Sequence, residues 1–511
     1  MNEKAVLVTG ATGYVGGRLV PKLLEAGYKV KAMGRSRAKM SSRWWANHPL
    51  VELAKGDVLD LKSLNRAAGG CRAAFYLVHS MIAQGKKYAA ADRTSASNMA
   101  QACADQGIEK IIYLGGLGDI RHPQMSKHLR SRHEVGEILK SGPVPVTVLR
   151  AAMILGSGSA SFEILRYLVE RLPVMITPRW VDSPCQPISI SSVLAYLHGC
   201  LENDDTIGQT FDIGDKDILT YRQIIDMYAE ETRLPKRWII PVPVLTPTLS
   251  AYWIHLVTPV PAAIAMPLTE GLSVPVICED NRIRSIIPLQ PPSCRETIRI
   301  ALDQIGNQSV ETCWYDTGCL LPPEWAHCGD ADYAGGTILE CGYRVRVSAT
   351  VEDMWNLIVK IGGTTGYYYG NTLWRLRGMI DRLVGGVGLR RGRRHPSRLL
   401  PGDALDFWRV LEVDAPKRLV LLAEMKTPGE ALLNIEIKPA ANGSIELRLL
   451  SRFMPRGLGG IIYWYVLYPI HQWLFKEMLK GMAKTAGGSM VSEPQRFTYK
   501  IPYACEISGE K

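Results

Sequence analysis

The sequence lacks an uninterrupted apolar run long enough to cross a membrane. The segment 239–268 has no Asp, Glu, Lys or Arg, but it contains six prolines. Its proline-free middle, Thr248 to Thr258, is much shorter than the roughly 20 residues that a spanning helix requires. The aromatic-rich stretch Ile461 to Ile470 is also too short. We therefore expect no spanning helix, and the flanking prolines favour a short helix between extended segments.

Signals for secretion and for a structural metal are also missing. The N-terminus resembles a strand with polar flanks, so we expect no signal peptide. The 11 cysteines are irregularly spaced. Cys313, Cys319, His327, Cys328 and Cys341 lie near one another in the sequence but lack the C-x-x-C pairs of zinc sites. The sequence therefore predicts a cytoplasmic protein with reduced thiols and no bound metal.

Positive charge is present in excess and is concentrated in one place. The formal net charge is +11, and many arginines fall in one short segment: Arg375, Arg377, Arg382, Arg390, Arg391, Arg393, Arg394 and Arg398. Such a cluster is typical of a site for an anionic substrate, of contact with acidic lipid headgroups, or of a solvated loop. Nucleic acid is not expected, because aromatic-interleaved binding motifs are absent. A peripheral location at the inner membrane face stays open as an alternative to a purely cytoplasmic one.

A glycine-rich turn near the N-terminus is the most informative motif. The apolar run 5–8 predicts a buried strand, and an amphipathic helix ending at Gly27 follows the turn. The residues of the turn that we expect to contact a dinucleotide are Gly10, Thr12, Gly13, Tyr14, Val15 and Gly16. In a strand–turn–helix unit, glycines permit the tight turn and the close approach of the pyrophosphate to the helix N-terminus.

The turn and the segments after it resemble extended and atypical short-chain dehydrogenases, including the NmrA-like branch. The glycine spacing is G-x-x-G-x-x-G, and the resemblance extends over about 300 residues, including strand-like segments at 73–78, 111–116 and 146–150. It implies a doubly wound parallel α/β sheet with a small substrate lobe. It also implies that Asp57 and Val58 flank the adenine, and that Leu77 and Val78 border the cofactor at the end of the fourth strand.

The end of the second predicted strand indicates which cofactor binds. Sites for NAD usually have a carboxylate there to hold the ribose 2′-hydroxyl. This sequence instead has Arg35 and Arg37. A guanidinium group suits the additional 2′-phosphate. We therefore expect NADP(H) to be preferred, with NAD(H) possible.

The catalytic residues of the family are missing from their expected positions. Family members have a Tyr-x-x-x-Lys pair on the helix after the fifth strand, but no tyrosine lies between Tyr113 and Tyr167. Ser126 and Arg130 occupy the matching positions. The remaining candidates for proton transfer or carbonyl polarisation are Lys127, His128 and His133 on the same helix and His79 after the fourth strand.

The last third of the sequence predicts a separate domain. A strand at 341–347 precedes a helix with Thr350 as its predicted N-cap, and strands follow at 406–413, 418–425, 431–438 and 444–453. A final helix is predicted from Pro469 to Lys484, with Pro469 as its first residue. This order resembles the START and polyketide-cyclase helix-grip fold, which implies an apolar cavity beneath that helix. The helix residues expected at the cavity are Trp473, Leu474, Phe475, Met478 and Leu479.

The predicted domains are 1–305 for the dehydrogenase-like part, with its substrate lobe at about 216–305, then a linker at 306–335, the helix-grip domain at 336–490 and a tail at 491–511. Three functions remain open. The first is an NADPH-dependent reductase of an apolar or amphipathic carbonyl or enone. The second is an NADP(H)-responsive regulator without catalysis, and the third is a lipid- or quinone-binding protein. The partner in each case is a small apolar or amphipathic ligand, and the oligomeric state is left open.

Overall fold

The structure is a computed structural model that describes residues 5–79, 88–119, 121–122, 125–242, 246–258, 260, 262–271, 274–307, 310–313, 338–389, 392–440 and 443–498. It divides into two units, 1–319 and 320–511. The division falls inside the segment 306–335 that the sequence predicts as a linker. Cys319, His327, Cys328, Arg390 and Arg391 lie outside the described residues, as does most of that segment.

The first unit is built on a seven-stranded parallel sheet. The strands of the unit are β1 (Ala5–Thr9), β2 (Val30–Gly34), β3 (Val51–Lys55), β4 (Cys71–Tyr76), β5 (Lys110–Gly116), β6 (Val146–Ala151), β7 (Ile154–Leu155), β8 (Val174–Pro178), β9 (Pro184–Cys185), β10 (Ile188–Ser189), β11 (Thr210–Ile213), β12 (Leu219–Thr220) and β13 (Trp238–Val242). The order in the large sheet is β11-β6-β5-β4-β1-β2-β3, which confirms the doubly wound α/β fold predicted from the sequence.

Helices cover both faces of this sheet. The helices of the first unit are α1 (Gly16–Glu25), α2 (Arg37–Ser41), α3 (Leu61–Ala68), α4 (Tyr88–Asp105), α5 (Lys127–Lys140), α6 (Ala160–Arg171), α7 (Ile190–Glu202), α8 (Tyr221–Glu231), α9 (Pro247–Val257), α10 (Ala262–Gly271), α11 (Ile283–Ile286) and α12 (Cys294–Gly306). Of these, α6, α8, α9 and α10 pack in separate apolar clusters beside the sheet. Successive residues of β1 enter different cores: Val6 and Val8 pack on one face and Leu7 on the other. Because both faces of the central strand β1 are buried, its residues 5–8 form a continuous apolar run.

The proline-rich segment 239–268 contains one helix more than predicted. Its proline-free middle forms α9, which confirms the short helix. A second helix, α10, begins at Ala262 and contains Pro267. Among the described helices, none is long and apolar enough to cross a membrane.

The second unit is an eight-stranded sheet with a long helix across it. Its elements are β14 (Leu339–Ser348), α13 (Val351–Ile358), α14 (Asn371–Leu383), β15 (Ala404–Leu405), β16 (Trp408–Asp414), β17 (Arg418–Ala423), β18 (Gly429–Pro439), β19 (Ile445–Pro455), α15 (Gly457–Thr485), β20 (Ser489–Met490) and β21 (Gln495–Arg496). The strand pairs are antiparallel, and the Thr350 side chain caps α13 by accepting a hydrogen bond from the Asp353 N–H. Strand β21, inside the predicted tail, pairs with β14.

The last helix is longer than predicted. It begins at Gly457 rather than at Pro469, which lies in its interior. A proline within a helix removes the hydrogen bond to the carbonyl four residues earlier, here that of Tyr465. Pro469 and Tyr465 are both on the exposed side of the helix, where water can replace that bond. The prediction that Pro469 starts the helix was therefore wrong.

Four of the five residues predicted to face a cavity under this helix are buried in the core of the second unit. These are Leu474, Phe475, Met478 and Leu479, whereas Trp473 is 49% exposed. The predicted position of Trp473 was therefore wrong. The ligand cavity and the START-like assignment stay predictions.

A half-buried histidine on this helix, His471, should make the second unit sensitive to acid. The ring of His471 stacks on Phe475, and burial lowers its pKa to about 4. In the unfolded chain His471 binds a proton near pH 6.5, whereas in the folded chain it stays neutral down to about pH 4. The free energy of unfolding therefore falls as the pH drops from about 6.5 towards 4. In His471→Gln we expect the loss of unfolding free energy between pH 7 and pH 5 to be smaller by roughly 1–2 kcal/mol than in the wild type. Hydrogen exchange of peptides from α15, measured at pH 7 and pH 5, checks this; an unchanged pH dependence would contradict it.

Candidate cofactor and substrate site

The glycine-rich turn lies at the carboxyl edge of the parallel sheet, between β1 and α1. Gly10 has a positive φ of +71°, and a Cβ there would come within 3.1 Å of the Leu77 carbonyl oxygen after β4. A Cβ on Gly16 would collide with the Gly10 carbonyl. The Thr9 hydroxyl links β1 to β4 by donating a hydrogen bond to the Phe75 carbonyl at 2.9 Å. Glycine is therefore required at both positions of the turn.

The N-terminus of α1 has no side-chain cap, and Val15 occupies the N-cap position. The N–H groups of Gly17 and Arg18 donate to the Gly13 and Val15 carbonyls, and no side chain caps this end of the helix. In units of this kind the helix N-terminus faces the bound pyrophosphate. The turn itself is held by a hydrogen bond from the Gly13 N–H to the Gly10 carbonyl at 2.9 Å. This arrangement fits a dinucleotide, and the turn residues that would hold it are those named from the sequence: Gly10, Thr12, Gly13, Tyr14, Val15 and Gly16.

The end of β2 lies beside this turn and carries cations. A Cβ on Gly34 would lie 3.6 Å from the Thr12 methyl group. Arg35 follows, half-buried, and Arg37 is exposed at the start of α2. Buried Arg43, which sequence reasoning missed, donates to the Thr12 carbonyl at 3.0 Å. Its guanidinium thus fixes the turn next to Arg35, where a 2′-phosphate would bind.

The remaining predicted cofactor residues occupy the ends of β3 and β4. Asp57 accepts a hydrogen bond from the Leu59 N–H at 3.0 Å, and its own N–H is bound to the Ser63 hydroxyl. The Val58 carbonyl accepts from Asn98 at 3.0 Å. Leu77 and Val78 are half-buried after β4, next to Gly10. The structure therefore brings all the predicted cofactor residues to one edge of the sheet.

A contact that the sequence did not indicate closes the outer side of the turn. Buried Arg18 on α1 donates to the Ser157 carbonyl and to the Thr312 hydroxyl, each at 2.8 Å. Thr312 in turn donates to the Tyr14 carbonyl at 2.8 Å. The chain after α12 therefore returns to the glycine-rich turn and packs against it.

A large apolar cavity lies beyond the ends of β4, β5 and β6. Its volume is about 370 Å³. Most of the side chains that line it are aliphatic or aromatic and come from α6, β8, α8, α9 and α10: Ile164, Leu165, Leu168, Met175, Ile176, Ile224, Ile225, Trp253, Ile254 and Leu268. No carboxylate or lysine is among the described lining residues. The apolar segment 239–268 therefore contributes to a site suited to an uncharged ligand.

Three basic side chains stand at the sheet end of this cavity: His79, His128 and Arg132. The rings of His79 and His128 are 4.8 Å apart between centroids. His79 Nδ1 lies 3.5 Å from Asp92 Oδ2 on α4, and among the described residues its buried Nε2 has no hydrogen-bond partner. Asp92 also accepts from the Ser131 hydroxyl at 3.2 Å. A carboxylate beside Nδ1 favours a proton on that nitrogen, so Nε2 is the atom left to exchange a proton.

Arg132 fixes the geometry of the strand ends. Its guanidinium donates to the Val78 carbonyl at 3.4 Å and to the Leu114 carbonyl, and it lies 4.9 Å from the centre of the Tyr113 ring.

Burial lowers the pKa of His79, although Asp92 opposes this. Burial together with His79 and Arg132 lowers the pKa of His128 well below its usual value. Both rings are therefore neutral at pH 7.

The other predicted catalytic residues lie outside the cavity lining. Ser126 is buried and caps α5, accepting from the Leu129 N–H at 3.2 Å, while Lys127 and Arg130 are exposed. Tyr113 is buried, its hydroxyl donates to the Arg132 carbonyl at 2.9 Å, and burial raises its pKa to about 12. Of the candidates for proton transfer predicted from the sequence, His79 and His128 line the cavity among the described residues. Asp92 and Arg132 were missed, since sequence spacing alone does not reveal which helix packs beside which strand end.

No metal site accompanies these groups in the part of the chain that the structure describes, where no cluster of three or more His, Cys, Asp or Glu side chains occurs. Cys313 is buried in the first unit and Cys341 in the second.

Comparisons with known proteins agree with this site. Residues 10–166 match a family model described as NAD(P)H-binding, and residues 333–478 match one described as a protein of unknown function. Cinnamoyl-CoA reductase 1 of Oryza sativa subsp. japonica is 28% identical over 122 residues, covering 23% of this chain and 36% of the rice protein. Dihydroflavonol 4-reductase of Hordeum vulgare is 38% identical over 89 residues, covering 16% and 24%.

A longer match is to the chloroplastic divinyl chlorophyllide a 8-vinyl-reductase of Zea mays, 24% identical over 225 residues, covering 42% of this chain and 55% of that protein. The matches thus span from a quarter to just over half of the length of these relatives. Among solved structures, the triphenylmethane reductase of Citrobacter sp. complexed with NADP(H) aligns with a TM-score of 0.48 and 18% identity, covering 58% of this chain and 100% of that one.

The family match and the geometry of the glycine-rich turn lead to the same conclusion. The first unit has a Rossmann-type doubly wound α/β fold, and its residues 10–166 match the NAD(P)H-binding family model.

Proposed function

We propose that the chain is an NADP(H)-dependent reductase of an apolar or amphipathic carbonyl or enone. The observation that supports this best is the apolar cavity of about 370 Å³, which begins at the carboxyl ends of β4, β5 and β6. A ligand there lies next to the position of a nicotinamide ring in a doubly wound sheet. The lack of lining carboxylates and lysines favours an uncharged substrate.

When bound, NADPH supplies a hydride to the substrate. The residues of this chain then have three tasks. The glycine-rich turn and Arg35 hold the phosphates, the aliphatic lining excludes water, and His79 transfers the proton that completes the reduction. In its imidazolium form, His79 donates from Nε2 to the oxygen of the carbonyl whose carbon receives the hydride, and the neutral ring regains a proton from water.

Asp92 acts as a positioning residue in this proposal. Its carboxylate lies 3.5 Å from His79 Nδ1. Burial lowers the pKa of His79, and the Asp92 carboxylate opposes this by raising it. Arg132 holds the ends of β4 and β5 in place through the Val78 and Leu114 carbonyls. These roles take the place of the Tyr-x-x-x-Lys pair that the sequence lacks.

Filling the cavity should separate substrate binding from cofactor binding. Ile164 lines the cavity from α6 and is not among the residues assigned to the cofactor. In Ile164→Trp, we expect kcat/KM for the reduction of bulky apolar aldehydes, ketones or enones to fall at least tenfold, because the indole occupies the substrate's volume. NADPH affinity should stay within twofold. Substrate-dependent NADPH oxidation and calorimetric titration measure the two effects.

The matched control is Ile218→Trp, since Ile218 is an exposed apolar residue of the same unit outside the cavity lining. If the wild-type protein binds NADPH and yet oxidises it with no member of a panel of apolar carbonyls and enones, the reductase proposal is wrong and the regulator hypothesis gains support.

A further inference from the structure

The first half of α15 (Gly457–Thr485) exposes one apolar face. Six side chains of this face are well exposed: Leu458, Ile462, Tyr465, Val466, Ile470 and Trp473. Their spacing of three to four residues places them along one side of the helix. The opposite side, with Trp464, Leu474 and Phe475, is buried in the core. Exposed aliphatic and aromatic residues in such a continuous row are unusual on a protein surface that contacts only water.

The neighbouring helix α14 (Asn371–Leu383) has a similar face. Its exposed apolar residues are Leu376, Met379, Ile380, Leu383 and Val384, the last of them at the C-cap, and Leu383 is 81% exposed. The two helices meet where the Arg377 guanidinium donates to the Tyr463 hydroxyl and lies 5.3 Å from the centre of its ring. Leu376 and Ile380 are within one turn of Arg377, and Ile462 and Val466 are within one turn of Tyr463. The two apolar faces therefore adjoin at this contact.

The charges around these faces are positive. The sequence from 457 to 475 contains no Asp, Glu, Lys or Arg, and it is bounded by Arg456 and Lys476, both exposed. Arg375 is exposed on α14. Of the nearby carboxylates, Glu430 pairs with Arg456, Glu477 pairs with Lys480, and Asp381 is buried. Apolar and aromatic residues bordered by cations are typical of segments that lie in the interface of an anionic bilayer.

We propose that the adjoining exposed faces of α14 and α15 dock the second unit onto the surface of an anionic membrane. Aliphatic side chains such as Leu383, Ile462 and Val466 enter the boundary between headgroups and acyl chains, and Tyr465 and Trp473 lie at headgroup level. Arg375 faces the lipid phosphates, and Lys476, whose ammonium group lies 5.2 Å from the centre of the Tyr343 ring, adds positive charge nearby. A second copy of the chain fits the same face less well, because it would bring like charges together. This inference does not depend on the proposed reductase function.

Vesicle binding by the full chain tests the proposal. Wild-type protein should sediment with vesicles of phosphatidylcholine and phosphatidylglycerol, at least tenfold more weakly with phosphatidylcholine alone, and more weakly as salt rises. The double variant Ile462→Glu/Val466→Glu should lose at least tenfold in binding to the anionic vesicles. The control Ile218→Glu changes an equally exposed apolar residue of the first unit and should bind as the wild type does.

Two results would overturn the proposal. One is wild-type protein that fails to sediment with anionic vesicles at low salt. The other is a dimer in solution that dissociates in the double variant, which would make this face a contact between copies. If the double variant does not fold, Leu383→Glu on α14 replaces it, and vesicle binding equal to that of the wild type would contradict the proposal.

Discussion

Replacing His79 by Gln should lower NADPH-dependent turnover by about 10²- to 10⁴-fold, the range that general acid catalysis contributes. Glutamine has a similar size and can still hydrogen-bond, but it cannot donate a proton to a developing alkoxide. His79 lines the substrate cavity rather than the glycine-rich turn, so NADPH affinity should stay within a few-fold. Steady-state kinetics on the best substrate of the panel and calorimetric titration with NADPH measure the two quantities.

Two control variants show whether the loss is specific to His79. His133→Gln changes a histidine of α5 that is not among the cavity-lining residues, and turnover should be near that of the wild type. Tyr113→Phe removes a hydroxyl that donates to the Arg132 carbonyl, and we expect at most a few-fold effect. A collapse of turnover in Tyr113→Phe, with fold and NADPH affinity retained, would instead assign the proton donor to a tyrosine.

The pH profile tests the same assignment through Asp92. In the proposed mechanism the proton comes from the His79 imidazolium, so the rate should rise as pH falls towards the pKa of His79, which burial places below 6.5. Asp92 raises that pKa, whereas Arg132 lowers it, and the neutral ring of His128 lies 4.8 Å away at an angle of 37°. In Asp92→Asn the acidic limb should therefore move to lower pH. A profile that stays in place would mean that Asp92 has only a structural role.

Replacing Arg35 by Ala should weaken NADPH binding about 10- to 100-fold, the loss expected when a charge-assisted hydrogen bond worth roughly 1.5–3 kcal/mol is removed. Binding of NADH, which lacks the 2′-phosphate, should change by less than threefold. Arg35 is half-buried after β2, and the sequence has no carboxylate there to prefer a free ribose hydroxyl. Calorimetric titration of both cofactors gives the ratio.

Lys22→Ala is the matched control, because it removes an exposed cation from the last turn of α1, away from the helix N-terminus. It should alter neither affinity. Equal affinities of the wild-type protein for NADPH and NADH would contradict the assignment of Arg35 to the 2′-phosphate. Arg43 is expected to act indirectly, since its guanidinium is engaged by the Thr12 carbonyl.

The sheet and the cofactor turn could be predicted from the sequence because both depend on short-range patterns. β1, β4, β5 and β6 are apolar runs, and the structure places each within two residues of the predicted bounds. Gly10 needs the positive φ of its turn, and a Cβ on Gly16 would collide with the Gly10 carbonyl six residues earlier. Such signals are contained in fewer than ten consecutive residues.

The polar environment of His79 could not be predicted in the same way. Asp92 reaches Nδ1 from α4, and Arg132 reaches the Val78 carbonyl from α5, so both contacts depend on how helices pack against strand ends. The start of α15 was missed for a different reason. A proline usually marks a helix boundary, and Pro469 is tolerated only because it lies on the exposed side.

The hydrogen bonds of Thr312 also bear on where the cofactor domain can be cut. A fragment could be cut at residue 305, the end of the domain predicted from the sequence. It would leave the Arg18 guanidinium without its hydroxyl partner, Thr312. It would also expose Gly17 and Gly158, against which Thr312 packs. The Tyr14 carbonyl would lose its donor at the same time. A self-sufficient version of this domain for crystallisation or cofactor titration therefore has to extend through Cys313.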